Sequence, residues 1–209
     1  MRWKTIIAIC VTLVLIVAIR FLIDAHRTAS RVRVQGRLSQ LHLALANYQA
    51  VHGSLPNRVV ADLNGDALHS WVASILPYVE QHDIANSLDL TKSWNASENE
   101  TCLKIGADFW DWFCDDGYLV CSYSGTQSMW DADEKPVGTL AEHPRKVLLI
   151  ATKADGVHPL EPSSISERRV REILMTGNDV LYVNAGRMHG HVEIHGESIR
   201  FDGGMTDAE

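Results

Sequence analysis

The run TIIAICVTLVLIVAIRFLI, Thr5 to Ile23, carries one charged residue, Arg20. A helix needs about 20 mostly apolar residues to cross the hydrocarbon layer, so the run reads as a single membrane-spanning helix held by lipid from Thr5 to Ile23. Arg20 lies near its end, where a long cationic side chain reaches the headgroups. Secretory cleavage needs small residues after the apolar core, and Arg20 to Asp24 contains none, which predicts an uncleaved anchor. The rest of the 209 residues suffices for one domain of ordinary size.

From Asp24 to Gln35 there is neither Pro nor Gly, so the helix is expected to continue through a basic neck. Beyond the neck Leu38, Leu41, Leu45 and Tyr48 form an amphipathic stripe that stops at His52-Gly53. Three segments follow: an anchor over 1–23, a helical continuation over 24–52 and an α+β domain over 53–204.

Of the 19 lysines and arginines, Arg2, Lys4 and Arg20 precede Asp24, which leaves 16 against 26 acidic residues beyond Ile23, a net charge of −10. That balance repels phosphate backbones and makes nucleic acid an improbable partner. Orientation is contested: Arg27, Arg31, Arg33 and Arg37 outnumber Arg2 and Lys4, which by the positive-inside rule points to a cytoplasmic domain.

Several motifs invite chemistry and then withdraw it. DLNGD (Asp62 to Asp66) opens like a calcium loop, but Ala67 and Ala73 occupy the positions that need Gly and Glu, so Asn64-Gly65 reads as a hairpin turn. In HSWVASILPYVEQ, Trp71, Ile75, Leu76 and Val79 fall at helical spacing with Pro77 interrupting, which predicts a short broken helix on a core. The segment from Asp83 to Asp108 reads as loop and holds two glycosylation sequons, at Asn95 and Asn99, relevant only in a secretory host. DFWDWFCDDG mixes Phe109, Trp110, Trp112 and Phe113 with Asp108, Asp111, Asp115 and Asp116; a metal cluster or sugar platform is one reading, buried rings with solvated acids the favoured one. Cys102, Cys114 and Cys121 lack zinc-ligand spacing and permit one disulfide of unassigned pairing in an oxidising compartment.

The last third reads as strands: Lys146 to Thr152, Asp179 to Asn184, Arg187 to Ile194 and Glu197 to Phe201. Between the first and second of them SSISERRVREIL (Ser163 to Leu174) predicts a short helix capped by Ser164 or Ser166. RMHGHVEI places Met188, Val192 and Ile194 on one face and Arg187, His189, His191 and Glu193 on the other, which predicts a sheet with one wet side. His189 and His191, with His195, are the weak candidates for a metal or hydrolytic site, since i, i+2 imidazoles share a strand face. Three solvent-exposed histidines are the preferred reading. No nucleophile elbow, phosphate loop or zinc signature calls for a catalytic residue or a cofactor.

The succession RLSQLHLALANYQAVHGSLP, DLNGDALHSWVASILPYVEQHDIANSLDLTKSWNASEN, KVLLIATKADGVHPLEPSSIS and DVLYVNAG resembles the large planctomycete-type pilin-like family of unknown function. His69, Ser70 and Trp71 with Leu76, Pro77, Tyr78, Glu80 and Gln81 match its most recognisable block, and His158 to Pro162 extends the likeness. The resemblance implies a type IV pilin-like α+β fold, a long helix packed on an antiparallel sheet, with no enzymatic activity. It also implies a single-pass protein of the bacterial cytoplasmic membrane with its domain in the periplasm or outside, and that longer match is weighed above the four arginines. Two departures stand out: MRWKTIIAIC lacks the Gly and Glu of a prepilin-peptidase site, and Leu174 and Asn184 replace a family His and Asp. The expected role is therefore a structural or surface-interaction protein of the envelope, with envelope proteins or further copies of itself as partners.

Overall fold

The computed structural model describes residues 2–114, 117–153, 157–196 and 198–202. Helix α1 runs unbroken from Arg2 to His52. Contacts divide the chain inside that helix, into Met1–Arg33 and a compact unit from Val34 onward. The first unit contains a helix long and apolar enough to cross a membrane, with none of its most apolar 18-residue window buried. In the second unit the predicted stripe is core: Leu38, Leu41 and Leu45 are fully buried, joined by Val34 and Ala44. The helix stops where expected, Gly53 taking the left-handed conformation (φ 79°) while its N–H donates to the Gln49 carbonyl.

The remaining elements follow in chain order: a hairpin of β1 (Val59–Ala61) and β2 (Ala67–Ser70), α2 (Val72–Ile75), a 3₁₀ turn (Leu76–Val79), and α3 (His82–Ser87). A second 3₁₀ turn (Ser97–Asn99) leads into α4 (Glu100–Ile105), α5 (Ala107–Cys114) and β3 (Tyr118–Ser124). Then come β4 (Val147–Lys153), β5 (Ser164–Ser166), α6 (Glu167–Met175), β6 (Val180–Asn184), β7 (His189–His195) and β8 (Ser198–Phe201). Six strands form one sheet in the order β5-β3-β4-β6-β7-β8, antiparallel throughout except for the β3–β5 pair. The fold is α+β, a long N-terminal helix followed by a domain of helices and a mainly antiparallel sheet.

Both faces of this sheet are covered, contrary to the expected wet side. Along β6 the alternation is complete: Leu181 and Val183 join the cluster of Leu38, Leu41 and Leu45, whereas Val180 and Tyr182 join Val170 and Ile173 of α6. Burial on two faces is the reason VLYVN and VLLIA read as continuous apolar runs. The face assignment in RMHGHVEI holds, with Gly190 and Val192 buried on the α6 side and His189 and His191 on the other, but its burial differs from the expectation: Met188 precedes β7 and is exposed, Ile194 is exposed near the strand end, and the two histidines are half-buried.

Other expectations also change. The stretch from Asp83 to Asp108 is mostly helical, because its apolar residues Ile84, Leu88 and Cys102 each bury a single short turn against the core and produce no sustained period. Ser164 lies in β5, and Ser166 caps α6, its hydroxyl accepting from the Arg169 N–H. Strand β3 had no reading in the sequence, although it pairs centrally with β4. Cys102, Cys114 and Cys121 are free thiols, so the envisaged disulfide is absent among the described residues. Burial raises all three thiol pKa values, that of Cys121 to about 12, which keeps them protonated and poorly nucleophilic.

The hairpin, the broken helix over Val72–Val79 and the turn at Asp62 are as read. The Asp62 carboxylate accepts from the N–H groups of Asn64 and Asp66, closing the turn on itself. In α5, Trp110 and Phe113 are buried while Asp108 and Asp111 are exposed, the arrangement of rings inward and acids in water; Asp115 and Asp116 lie outside the described residues.

Candidate functional site

The signature block divides into a buried half and an exposed half. His69, Ser70 and Trp71 are buried at the end of β2. Ser70 donates its hydroxyl to the Pro159 carbonyl at 2.5 Å and its N–H to the Leu160 carbonyl at 2.9 Å, and the Trp71 N–H reaches the Arg58 carbonyl at 2.9 Å. Arg58, itself buried, is ion-paired with Glu134 and donates to the Tyr123 carbonyl. Ser70 thus fastens the hairpin to the loop at Pro159 and Leu160, and Trp71 reaches Arg58, which ties the base of the hairpin to Glu134 and Tyr123.

A knot of buried polar groups adjoins them. The Asn99 side chain accepts from the Asp89 N–H at 2.8 Å and donates to the carbonyls of Asp89 and Ser93 at 3.2 and 2.9 Å. The sequon at Asn99 is closed to modification, since Asn99 has no exposed surface, whereas Asn95 faces solvent. The His158 ring stacks on Trp94 (4.9 Å, 11°), meets Trp110 edge-on, and accepts from the Leu160 N–H through Nδ1. Burial pushes its pKa down to about 4. Burial likewise lowers His69, while the backbone of Asp89 and Lys92 and the Asp89 charge oppose it without either ring nitrogen reaching hydrogen-bond geometry.

The second half of the block faces outward. Tyr78, Glu80 and Gln81 line one side of an open groove of about 690 Å³. Gln40 and Leu43 of α1 form a second side, and Asp108, Phe109 and Trp112 of α5 a third. Arg37 holds α1 to α5, donating to the Trp112 carbonyl at 2.8 Å from a buried position. Tyr78 is fixed by a 2.9 Å hydrogen bond between its hydroxyl and Nε2 of His52, and by edge-on contact with Tyr48. Phe109 and Trp112 lie almost parallel, 14° apart with centroids at 5.8 Å. Glu80 adopts the left-handed conformation (φ 62°) that closes the 3₁₀ turn and turns the chain toward α3.

The histidine candidates lie elsewhere. His189 and His191 share the face of β7 next to α1, both half-buried, and His195 is exposed at the strand end. Nε2 of His189 is 2.9 Å from the Ser39 hydroxyl, and nearby Nε2 of His42 donates to the Ala185 carbonyl at 3.0 Å. Among the described residues no three His, Cys, Asp or Glu side chains converge to hold a metal. His189 is thus part of the helix-to-sheet contact, a role the wet-face reading missed. Asn184 closes the turn between β6 and β7 by accepting from the Met188 N–H.

Burial lowers the pKa of His42 and His189 as well. A histidine with a depressed folded pKa stays neutral in the native state while the unfolded chain, near 6.5, takes up a proton. Stability is therefore expected to be complete above about pH 7 and to fall between roughly 6.5 and 4, each such histidine contributing up to about 1.4 kcal/mol per pH unit. Denaturant titrations at intervals from pH 7.5 to 4.5 measure this, and His158→Phe should flatten the lower part of the profile.

Residues 25–107 match the model of a family described as SBP_bac_10, a protein of unknown function (DUF1559). No curated protein and no solved structure matches the chain. The matched range contains the helix stripe, the signature block, the Asn99 knot and most of the groove, and ends before His158–Pro162 and the main sheet. The family description names neither a pilin nor a role.

Proposed function

We propose that this chain is a non-enzymatic display module of pilin-like build, tethered to a bacterial cytoplasmic membrane by its N-terminal helix, with the domain in the periplasm or outside. The observation that carries this reading is the division of α1: its first unit exposes apolar side chains along every face, and from Val34 the same helix supplies core leucines. Exposed Ile9, Leu13, Leu15, Ile16 and Phe21 need lipid around them, since an apolar surface of that extent is unstable in water. The charge argument for a cytoplasmic domain also loses one of its four arginines, because Arg37 is buried in the domain and bonded to Trp112.

Fusions after Phe201 to alkaline phosphatase and to a cytoplasmic reporter test the topology in a bacterial host. Phosphatase activity alone is the expected result. Activity of the cytoplasmic reporter alone would mean that Arg27, Arg31 and Arg33 set the orientation and would overturn the extracytoplasmic assignment.

A further inference from the structure

We propose that the groove between α1, the 3₁₀ turn and α5 binds a basic peptide segment, seating an arginine or lysine between its aromatic rings and the carboxylates of Glu80 and Asp108. The proposal goes beyond the topology above and does not depend on which side of the membrane the domain faces.

The groove combines apolar surface with uncompensated negative charge. Leu43 and Ile105 stand at its rim, each more than half exposed, although both belong to elements whose other faces are core. Phe109 and Trp112 add ring surface, and Tyr78 is held in place by His52. Glu80 and Asp108 take no ion pair or side-chain hydrogen bond among the described residues, and no lysine, arginine or histidine lines the groove. Gln40 and Gln81 likewise hold their amides free of side-chain bonds. Some carboxylates elsewhere in this unit are ion-paired, Glu134 with Arg58, Glu100 with Lys104 and Glu172 with two arginines.

Two unpaired carboxylates beside aromatic faces repel an anion and offer a neutral ligand little, but both features attract a cation, the rings through their negative faces and the acids through charge. A volume of about 690 Å³ lies within the roughly 300–1,000 Å³ of ligand pockets and is far larger than a bare cation requires. The apolar rim at Leu43 and Ile105 calls for apolar neighbours on the bound cation, and a peptide supplies both. The −10 balance beyond Ile23 steers basic partners toward the domain.

The experiment uses the full chain in phosphatidylcholine nanodiscs, which carry no net lipid charge. Three probes are titrated: a rhodamine-labelled Gly-Leu-Arg-Leu-Arg-Leu-Gly peptide followed by anisotropy, the same peptide with glutamine at both arginines, and cellohexaose followed by calorimetry. The arginine peptide is expected to bind at least about tenfold more tightly than the glutamine one, a difference of about 1.4 kcal/mol, and to weaken as salt is raised. An E80Q/D108N double variant should lose about tenfold in affinity with its melting temperature unchanged, since both side chains are exposed and unpaired. Equal binding of the two peptides, undiminished binding by the double variant, preference for cellohexaose, or no binding of any probe would each overturn the proposal.

Discussion

Trp71→Ala is expected to lower the stability of the domain by about 3–5 kcal/mol, the range for removing a buried large aromatic side chain. The ring is almost wholly buried in the cluster that joins Leu38, Leu41 and Leu45 to Ile75, Leu76 and Phe113. Its backbone N–H is bonded to Arg58, so the cavity opens where the hairpin, α2 and the core meet. At two to four degrees per kcal/mol for a domain of this size, the melting temperature should fall by roughly 10 °C. Pro77→Ala, in the same signature block but exposed, should stay within about 0.5 kcal/mol. Differential scanning calorimetry of the two variants separates a packing role for the buried half of the block from a role for the block as a whole. A Trp71→Ala loss under about 1 kcal/mol would show that the core closes over the site and would remove the packing explanation.

Asn99→Asp is expected to cost about 3 kcal/mol despite near-identical shape. The amide accepts one N–H, from Asp89, and donates to two carbonyls, of Asp89 and Ser93. An aspartate keeps the acceptor and loses both donors, so carboxylate oxygen faces carbonyl oxygen in a fully buried position, and two acceptors go unsatisfied at about 1–3 kcal/mol each. Raising the pH should deepen the loss, because the buried carboxylate resists ionisation and its unfolded counterpart does not. Equilibrium denaturation of the variant at pH 5 and pH 8 tests both statements; equal stability to the parent at pH 8 would mean that the loop from Asp89 to Ser93 does not depend on the side chain. The same residue shows why a sequon is a weak signal: Asn-x-Thr specifies an acceptor only where the asparagine is exposed.

Legibility followed the length of the periodic signal. The α1 stripe, the stop at Gly53, the turn at Asn64-Gly65 and the strands around Leu149, Tyr182 and Ile199 were all readable, because each repeats a period or carries a residue with a special backbone preference. Helices α3 and α4 were not, since six-residue elements turn less than twice and their stability comes from Ile84 and Cys102 meeting the core. Strand β3 was hidden by its composition: YLVCSYS alternates poorly because Ser122 and Tyr123 are buried on opposite faces alongside Val120. At the candidate site, the block from His69 to Gln81 was visible as a unit, but its division into a buried clamp and a groove wall was not. Trp71 and Tyr78 are both aromatic residues in one short block, and only their neighbours distinguish them.

What the linear order of residues determined by itself is whatever depends on near neighbours: an apolar helix long enough to cross a membrane, its continuation as an amphipathic stripe, the turn and cap positions, and an acidic charge balance. Tertiary structure decided what depends on residues far apart in the chain. It covered both sheet faces, placed His189 against Ser39 across 150 positions, buried Arg37 against the Trp112 carbonyl, and left Glu80 and Asp108 unpaired in one groove. The physical reason is that burial and charge pairing are properties of a place in space, and residues from α1, the 3₁₀ turn and α5 come to share one place only when the core they surround has closed.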